Sequence, residues 1–421
     1  MAAPSAAATA RLESAKAATS VVFALNGWSF ATWASRIPAV RDGLSLTPQD
    51  LGLLLLVGSA GAILGLPLAG WVAHRIGAAR TVLLGAALDL SALAAIGLTV
   101  GVLESVPLTT GVLVVLCFGM GQWDVAMNLQ GADVEHRLGR TIMPRYHAAF
   151  SLGTVGSALA GAALAWAGVP VVAHFGVSAV LIGVAVVVAV RAFLPMQDHA
   201  GGHPDPAAPA APAAASRDRQ RSAWREPRTL LIGVVTLVTA FTEGTANDWL
   251  SVAFIDGYRL PEWAGILAFA TFLSFMTLGR VLGTTLLDQY GRLAVLRVLF
   301  TAAAAGSLAV VFGTPVVAFV GAAVWGLGVS LGFPVGMSAA ADDPARAPAR
   351  VSVVSTIGYL AFLAGPPALG FLGEHHGVLR ALLVVSALLL VAFAALPSVR
   401  PLPTSPPSPS PAPSAHPSPS P

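Results

Sequence analysis

Apolar runs recur along the whole chain, separated by short polar breaks. A helix needs about 20 predominantly apolar residues to cross a bilayer. On that length the pattern predicts helices over 18–36, 50–74, 79–101, 109–136, 144–167, 170–193, 229–255, 262–288, 293–312, 315–340, 348–373 and 378–399. The first run, Ser20 to Ala34, is interrupted by Asn26 and by aromatic residues and is followed by further spans. It therefore reads as a first membrane helix rather than a cleaved leader. The expected fold is an all-α membrane protein, with twelve transmembrane helices in two pseudo-symmetric six-helix bundles.

Two stretches break the rhythm. Residues 195–228 carry the Pro/Ala run Pro206 to Ala215 and then a basic cluster, which is linker composition. Residues 401–421 are almost entirely Pro and Ser, a polyproline or disordered tail. The predicted organisation is an N-terminal tail (1–17), a six-helix bundle (18–194), a linker (195–228), a second six-helix bundle (229–400) and the tail (401–421). The halves share local patterns. His74-Arg75-Ile76-Gly77 ends the second helix and Asp288-Gln289-Tyr290-Gly291 ends the eighth, each with a polar residue three before a glycine. Arg145 and Gly153 in the fifth helix repeat as Arg350 and Gly358 in the eleventh, eight residues apart in each case. Internal repeats of this kind mark secondary transporters.

Composition agrees. The chain of 421 residues is 56% hydrophobic and 10% charged, against about 25% charged in soluble domains. So little charge cannot cover a water-soluble surface, and lipid must cover much of it. A net charge of +3 is too small to suggest nucleic-acid binding. The single cysteine, Cys117, excludes an intramolecular disulfide and a cysteine metal site. Basic residues set the orientation. With both termini cytoplasmic, 18 of the 23 Lys and Arg residues fall in cytoplasmic segments, 4 (Arg36, Arg41, Arg259 and Arg380) fall outside, and Arg280 lies within a span.

The segment Gly70 to Arg80 resembles the loop signature of the major facilitator superfamily: glycine, three residues, an acid, arginine, any residue, glycine, then basic positions. Arg75, Gly77 and Arg80 fit it, and His74 stands at the acid position. The second copy keeps the acid as Asp288, with Gly291 and Arg292 following. Asp124-Val-Ala-Met-Asn128 resembles a Glu-Thr-Ala-x-Asn-Pro stretch of fucose-permease-like sugar/proton symporters, with Asp for Glu and Leu129 for Pro. The run through Glu135 and on to Gly139-Arg-x-x-Met-Pro-Arg-Tyr-His147 looks like a bacterial branch near those permeases. The resemblance covers about residues 18–400. It implies a transporter whose gating loops include Gly70, Arg75, Gly77, Arg80, Asp288, Gly291 and Arg292, with Asp288 as the acid of the latch.

Acids inside a membrane helix are costly, about 2.5–3.5 kcal/mol on insertion scales, and are functional candidates by default. Asp124 and Glu243 each lie about 22 Å into a predicted span, near the midplane, one in each half. Asn128 and Asn247 follow them by four residues and share their helix faces. Desolvation favours the neutral form of a carboxylate at that depth, as proton coupling requires. The amides supply donors and acceptors for a polar solute. Asn26, Trp28, Asp248 and Trp249 are further candidates for the solute wall. A structural hydrogen bond is the alternative role for the acids, and packing for the tryptophans. Arg280 either pairs with an acid and gates, or snorkels to the interface. His147 is a proton relay or an ordinary interfacial histidine. His375 and His376 lack further ligands for a metal site.

The function expected is proton-coupled symport of a small polar solute, a sugar among the possibilities, across the cell inner membrane by rocking of two halves. The alternatives are proton-coupled efflux of a drug or metabolite, and a membrane sensor that keeps the fold without transport. No enzymatic constellation is seen and no cofactor or metal is implied. The expected partners are a small-molecule substrate, a proton as coupling ion and the lipid bilayer, with no nucleic acid, for a monomeric chain.

Overall fold

The computed structural model describes residues 6–195, 222–343 and 346–402. Within them the chain forms α1 (Ala6–Ser35), α2 (Ile37–Gly43), α3 (Pro48–Ile76), α4 (Ala78–Gly101), α5 (Val106–Leu138), α6 (Met143–Trp166) and α7 (Val171–Val190) in the first half. The second half comprises α8 (Pro227–Tyr258), α9 (Glu262–Phe312), α10 (Pro315–Val329), α11 (Gly332–Ala340), α12 (Ala347–His376), α13 (Val378–Ala381) and α14 (Leu383–Ala395). No strand occurs among the described residues. Residues 196–221 of the predicted linker and 403–421 of the predicted tail lie outside those residues.

Among the described residues, ten helical segments are long and apolar enough to cross a membrane, counting α10 with α11 and α13 through Val399 as one segment each. One of the ten is α9, whose 51 residues would run about 77 Å, enough for two crossings. It breaks at Gly291, which adopts φ 74° and ψ 160°, so the predicted separation of the eighth and ninth spans falls there. The predicted first span falls in α1, which is not among the ten. It is more polar than the rest because Asn26, Ser29, Thr32 and Ser35 are buried inside the bundle rather than turned to lipid. Its helix begins at Ala6, twelve residues before the predicted start, and carries a Glu13–Lys16 ion pair. The predicted tenth span is interrupted at Ser330 and Leu331, between α10 and α11.

Local chemistry explains several ends. Thr47 caps α3: its hydroxyl accepts from the Asp50 backbone N–H at 3.2 Å, and the Asp50 carboxylate accepts from the Thr47 N–H at 3.4 Å. Gly77 turns the chain between α3 and α4 at φ 84° and ψ 156°, nearly the conformation of Gly291. Only glycine adopts it without strain. The two loops that look alike in sequence are therefore alike in backbone.

Packing repeats too. Gly85 on α4 lies against α5 so closely that an added Cβ would sit 2.5 Å from the Trp123 N atom and 2.7 Å from the Gly119 carbonyl oxygen. Gly306 on α9 shows the same distances to the Trp325 N atom and the Gly321 carbonyl oxygen of α10. Trp123 and Trp325 are both fully buried beside these contacts. Likewise α1 packs on α6 through Gly153, and α8 packs on α12 through Gly358. Small residues that let backbones touch hold helices together where no hydrophobic force acts between them. Overpacking costs about 1–3 kcal/mol. Gly85→Ala and Gly306→Ala are therefore each expected to lower the melting temperature of the purified protein by similar amounts. A clear drop for one with none for the other would contradict their equivalence.

The halves meet through α3 against α12 and α6 against α9. The face from which α1 starts is called here the N face. Polar contacts across the halves lie at the opposite face. Arg41 donates to both carboxylate oxygens of Asp256, at 2.5 and 3.0 Å. The buried Arg36 pairs with Glu262 at 3.2 Å and donates to the Val169 carbonyl. The Gln49 N–H points at Glu374. A Cβ on Gly52 would lie 2.6 Å from the Pro366 carbonyl oxygen, so α3 and α12 also touch there. On the N face, arginines pair within their own half. Arg228 and Arg292 share Asp342, at 2.8 and 2.7 Å, and Arg350 and Arg346 share Glu226, at 2.7 and 3.0 Å. Burial opposes ionisation of Glu226, but the Arg350, Thr229 and Arg346 contacts outweigh it and hold the carboxyl below its ordinary range.

Candidate functional site

The predicted midplane acids lie at matching depths, one in each half. Asp124 lies 18 residues from one end of α5 and 14 from the other, about 27 and 21 Å along the axis. Glu243 lies 16 residues into α8 and 15 from its end, about 24 and 22 Å. Both are half-buried. The Asn128 amide donates to the Asp124 backbone carbonyl at 2.9 Å and reaches its carboxylate at 3.4 Å, so the one-turn spacing brings them together as predicted. The Asp124 charge acts on the Tyr359 hydroxyl of α12, in the other half.

Glu243 has a different environment. The Arg280 Nη2 donates to both of its carboxylate oxygens, at 3.1 and 3.0 Å, and the Arg280 Nε points at the Ser330 carbonyl at 3.4 Å. Of the two roles open for Arg280, the structure shows pairing with an acid. The arginine also reaches the carbonyl at the break between α10 and α11, where the helical ladder lapses. Breaks of this kind in a span occur where the backbone lines a cavity. Arg280 acts electrostatically on His147, across the seam on α6, which also contacts Phe23 edge-on at 5.5 Å.

The other candidates divide. Asp248 and Trp249 line a narrow cleft between α8 and α12 with Phe241, Gly244, Thr245, Ala361, Phe362, Gly365 and Pro366. The Asn247 amide oxygen is buried without a hydrogen-bond partner. Trp28 lies against Gly156 of α6, where an added Cβ would approach its ring within 3.0 Å. Asn26 is fully buried in the first bundle, with its amide nitrogen unpartnered. Among the gating candidates, Arg75 is exposed and lies over the Trp71 ring at 4.7 Å. Asp288, Gly70 and Arg80 are exposed at the N face, and Arg292 binds Asp342 and Ser338 in its own half.

One acid was not singled out from the sequence. Asp89 sits at the middle of α4, fully buried, and accepts from the Ser29 hydroxyl at 2.6 Å, while its second carboxylate oxygen has no partner. The signal was present, a lone acid in an apolar run, the same one that marked Asp124.

A sequence model of the Major Facilitator Superfamily matches residues 18–350 and again 264–421. The chain belongs to this superfamily. It is 31% identical over 84% of its length, and 89% of the relative's, to an uncharacterized transporter of Sinorhizobium fredii. At the level of fold it is similar to the nucleoside transporter NupG, with a TM-score of 0.71, 14% identity, and 92% of this chain and 98% of that one covered. It is also similar to a D-xylose–proton symporter, with a TM-score of 0.67, 13% identity, and 92% and 98% covered. The doubled match agrees with the repeated loops, glycine contacts and helix pairs. The protein is thus a multi-pass membrane transporter of the major facilitator superfamily.

Proposed function

We propose that this transporter moves a small polar solute together with protons across the cell inner membrane. The observation that carries the reading is the arrangement of the midplane acids. Asp124 faces the seam with an amide beside it and no cationic partner among its described contacts. Glu243, at matching depth in the other half, is paired with Arg280 at 3.0 Å. A carboxylate without a counter-ion in a low-dielectric seam is neutralised by taking a proton, and it releases the proton when water reaches it. Asp124 and Asn128 thus supply a proton site and a solute contact one turn apart. Relatives in fold whose names include a nucleoside transporter and a xylose–proton symporter support a hydroxyl-rich solute.

The direction of opening follows from the ion pairs. The halves are clasped at the face opposite the N face by Arg41–Asp256 and Arg36–Glu262. The basic residues of the N face support a cytoplasmic position for that face. In this reading the arrangement is open toward the cytoplasm. Reporter fusions at residues 210 and 400 are expected to behave as cytoplasmic, and a periplasmic signal at either would overturn the orientation. The coupled reading is tested by gradient-driven uptake into proteoliposomes.

A further inference from the structure

The cleft around Asp248 is bordered by buried polar groups that lack partners. Along α8, Thr236 and Thr239 donate their hydroxyls to carbonyls one turn back, at 3.0 and 2.8 Å, as threonines in helices commonly do. Thr242 and Thr245 do not: both hydroxyl oxygens are buried without a partner, and Thr245 lines the cleft at 3% exposure. Trp249, fully buried, also lines the cleft with an unpartnered indole nitrogen. Opposite them, α12 carries Pro366 and Pro367 inside the helix. A proline has no N–H, so the carbonyls four residues earlier, on Phe362 and Leu363, lose their helical donors. Phe362 is itself a wall of the cleft. The three aromatic side chains of the wall are Phe241, Trp249 and Phe362.

We propose that this cleft is a subsite for a protonated amine, so that the transported solute is a polar molecule bearing a primary ammonium group. The inference rests on the transport reading above and narrows its substrate. A primary ammonium has three N–H donors. The cleft offers three kinds of acceptor: the Asp248 carboxylate, the Thr245 hydroxyl and the carbonyl freed at Phe362. Aromatic faces attract an organic cation further. An alkali ion of the same charge would find few oxygens there and three apolar rings. The subsite is also placed to act with Asp124. Asp248 is felt electrostatically at Cys117 on α5. Cys117 lies seven residues, about 10 Å, from Asp124 along that helix. A solute anchored by its amine at Asp248 can therefore extend its hydroxyls along the seam toward Asn128.

The test uses the purified full-length chain in lipid nanodiscs, with ethylammonium chloride as the probe. Ethanol and sodium chloride at equal concentration serve as controls. Two readouts are taken: the melting midpoint, which rises when a ligand binds the folded state, and the alkylation rate of Cys117, the chain's single cysteine, by N-ethylmaleimide. Ethylammonium is expected to raise the midpoint saturably and to slow alkylation several-fold, while ethanol and sodium chloride do neither. Asp248→Asn removes both effects, and Asp248→Glu retains them in part. Equal effects from sodium chloride, effects that persist in Asp248→Asn, or no effect of ethylammonium in the wild type would each overturn the subsite. Loss of the subsite with gradient-driven uptake preserved would leave the transport reading standing. Amine binding without any gradient-driven uptake would do the reverse.

Discussion

Asp124→Asn is expected to abolish accumulation of solute driven by a pH gradient while leaving solute exchange between the two sides intact. The substitution keeps the size and polarity of the protonated acid but can no longer release a proton. Exchange needs no net proton movement, so it survives; accumulation needs one per cycle at this site, so it is lost. Asn128→Ala should act differently. It removes a donor that here serves the Asp124 carbonyl and carboxylate, and one hydrogen bond is worth about 0.5–1.5 kcal/mol. The expected result is solute affinity weakened by roughly 2- to 13-fold, with coupling retained. Measuring counterflow and gradient-driven uptake on the same preparations separates the two outcomes. If Asp124→Asn accumulates solute as the wild type does while Glu243→Gln does not, the proton site belongs to the second half.

The second large effect concerns Arg280. Arg280→Met leaves the Glu243 carboxyl unpartnered near the midplane, where it must either bear a charge, at about 2.5–3.5 kcal/mol on insertion scales, or be neutralised by a proton. Both side chains keep partial exposure, 31% for Arg280 and 24% for Glu243, so water recovers part of that cost. The single variant should show a clear fall in melting temperature together with loss of uptake. Adding Glu243→Gln should restore most of the stability, because the unpaired carboxyl is gone, but not the uptake. A coupling energy of about 0.5–3 kcal/mol between the two changes is expected from the double-mutant cycle. Additive losses would show that the pair makes no contribution of its own.

The spans were legible because a bilayer fixes both their length and their polarity. Eleven of the twelve predicted runs start within about three residues of a helix or of the break at Gly291. The exception, α1, starts early because the polar residues from Glu13 to Lys16 continue the helix beyond the apolar stretch, and hydropathy is blind to a helix that leaves the membrane. The interruption at Ser330 was readable and passed over: Pro334 lacks the N–H that would reach the Ser330 carbonyl four residues earlier. Of the site, Asp124 with Asn128 was readable from a four-residue spacing on one helix. The partner of Glu243 was not, since Arg280 comes from another helix 37 residues away. The clasp at the opposite face was hidden for the same reason: Arg41 and Asp256 are 215 residues apart, and no local pattern joins them. Asp89 was readable and passed over, because its partner Ser29 gives no sequence signal of its own.

In the proposed mechanism solute and proton move together. The most direct measurement is proton flux in proteoliposomes that hold the purified protein and an internal pH-sensitive dye, challenged in turn with amino sugars, neutral sugars and nucleosides. At least one solute is predicted to acidify the lumen when added outside, at a rate that saturates with solute and vanishes in Asp124→Asn. A solute that enters the vesicles at the same rate with and without a pH gradient, and moves no protons as it does so, would contradict the claim.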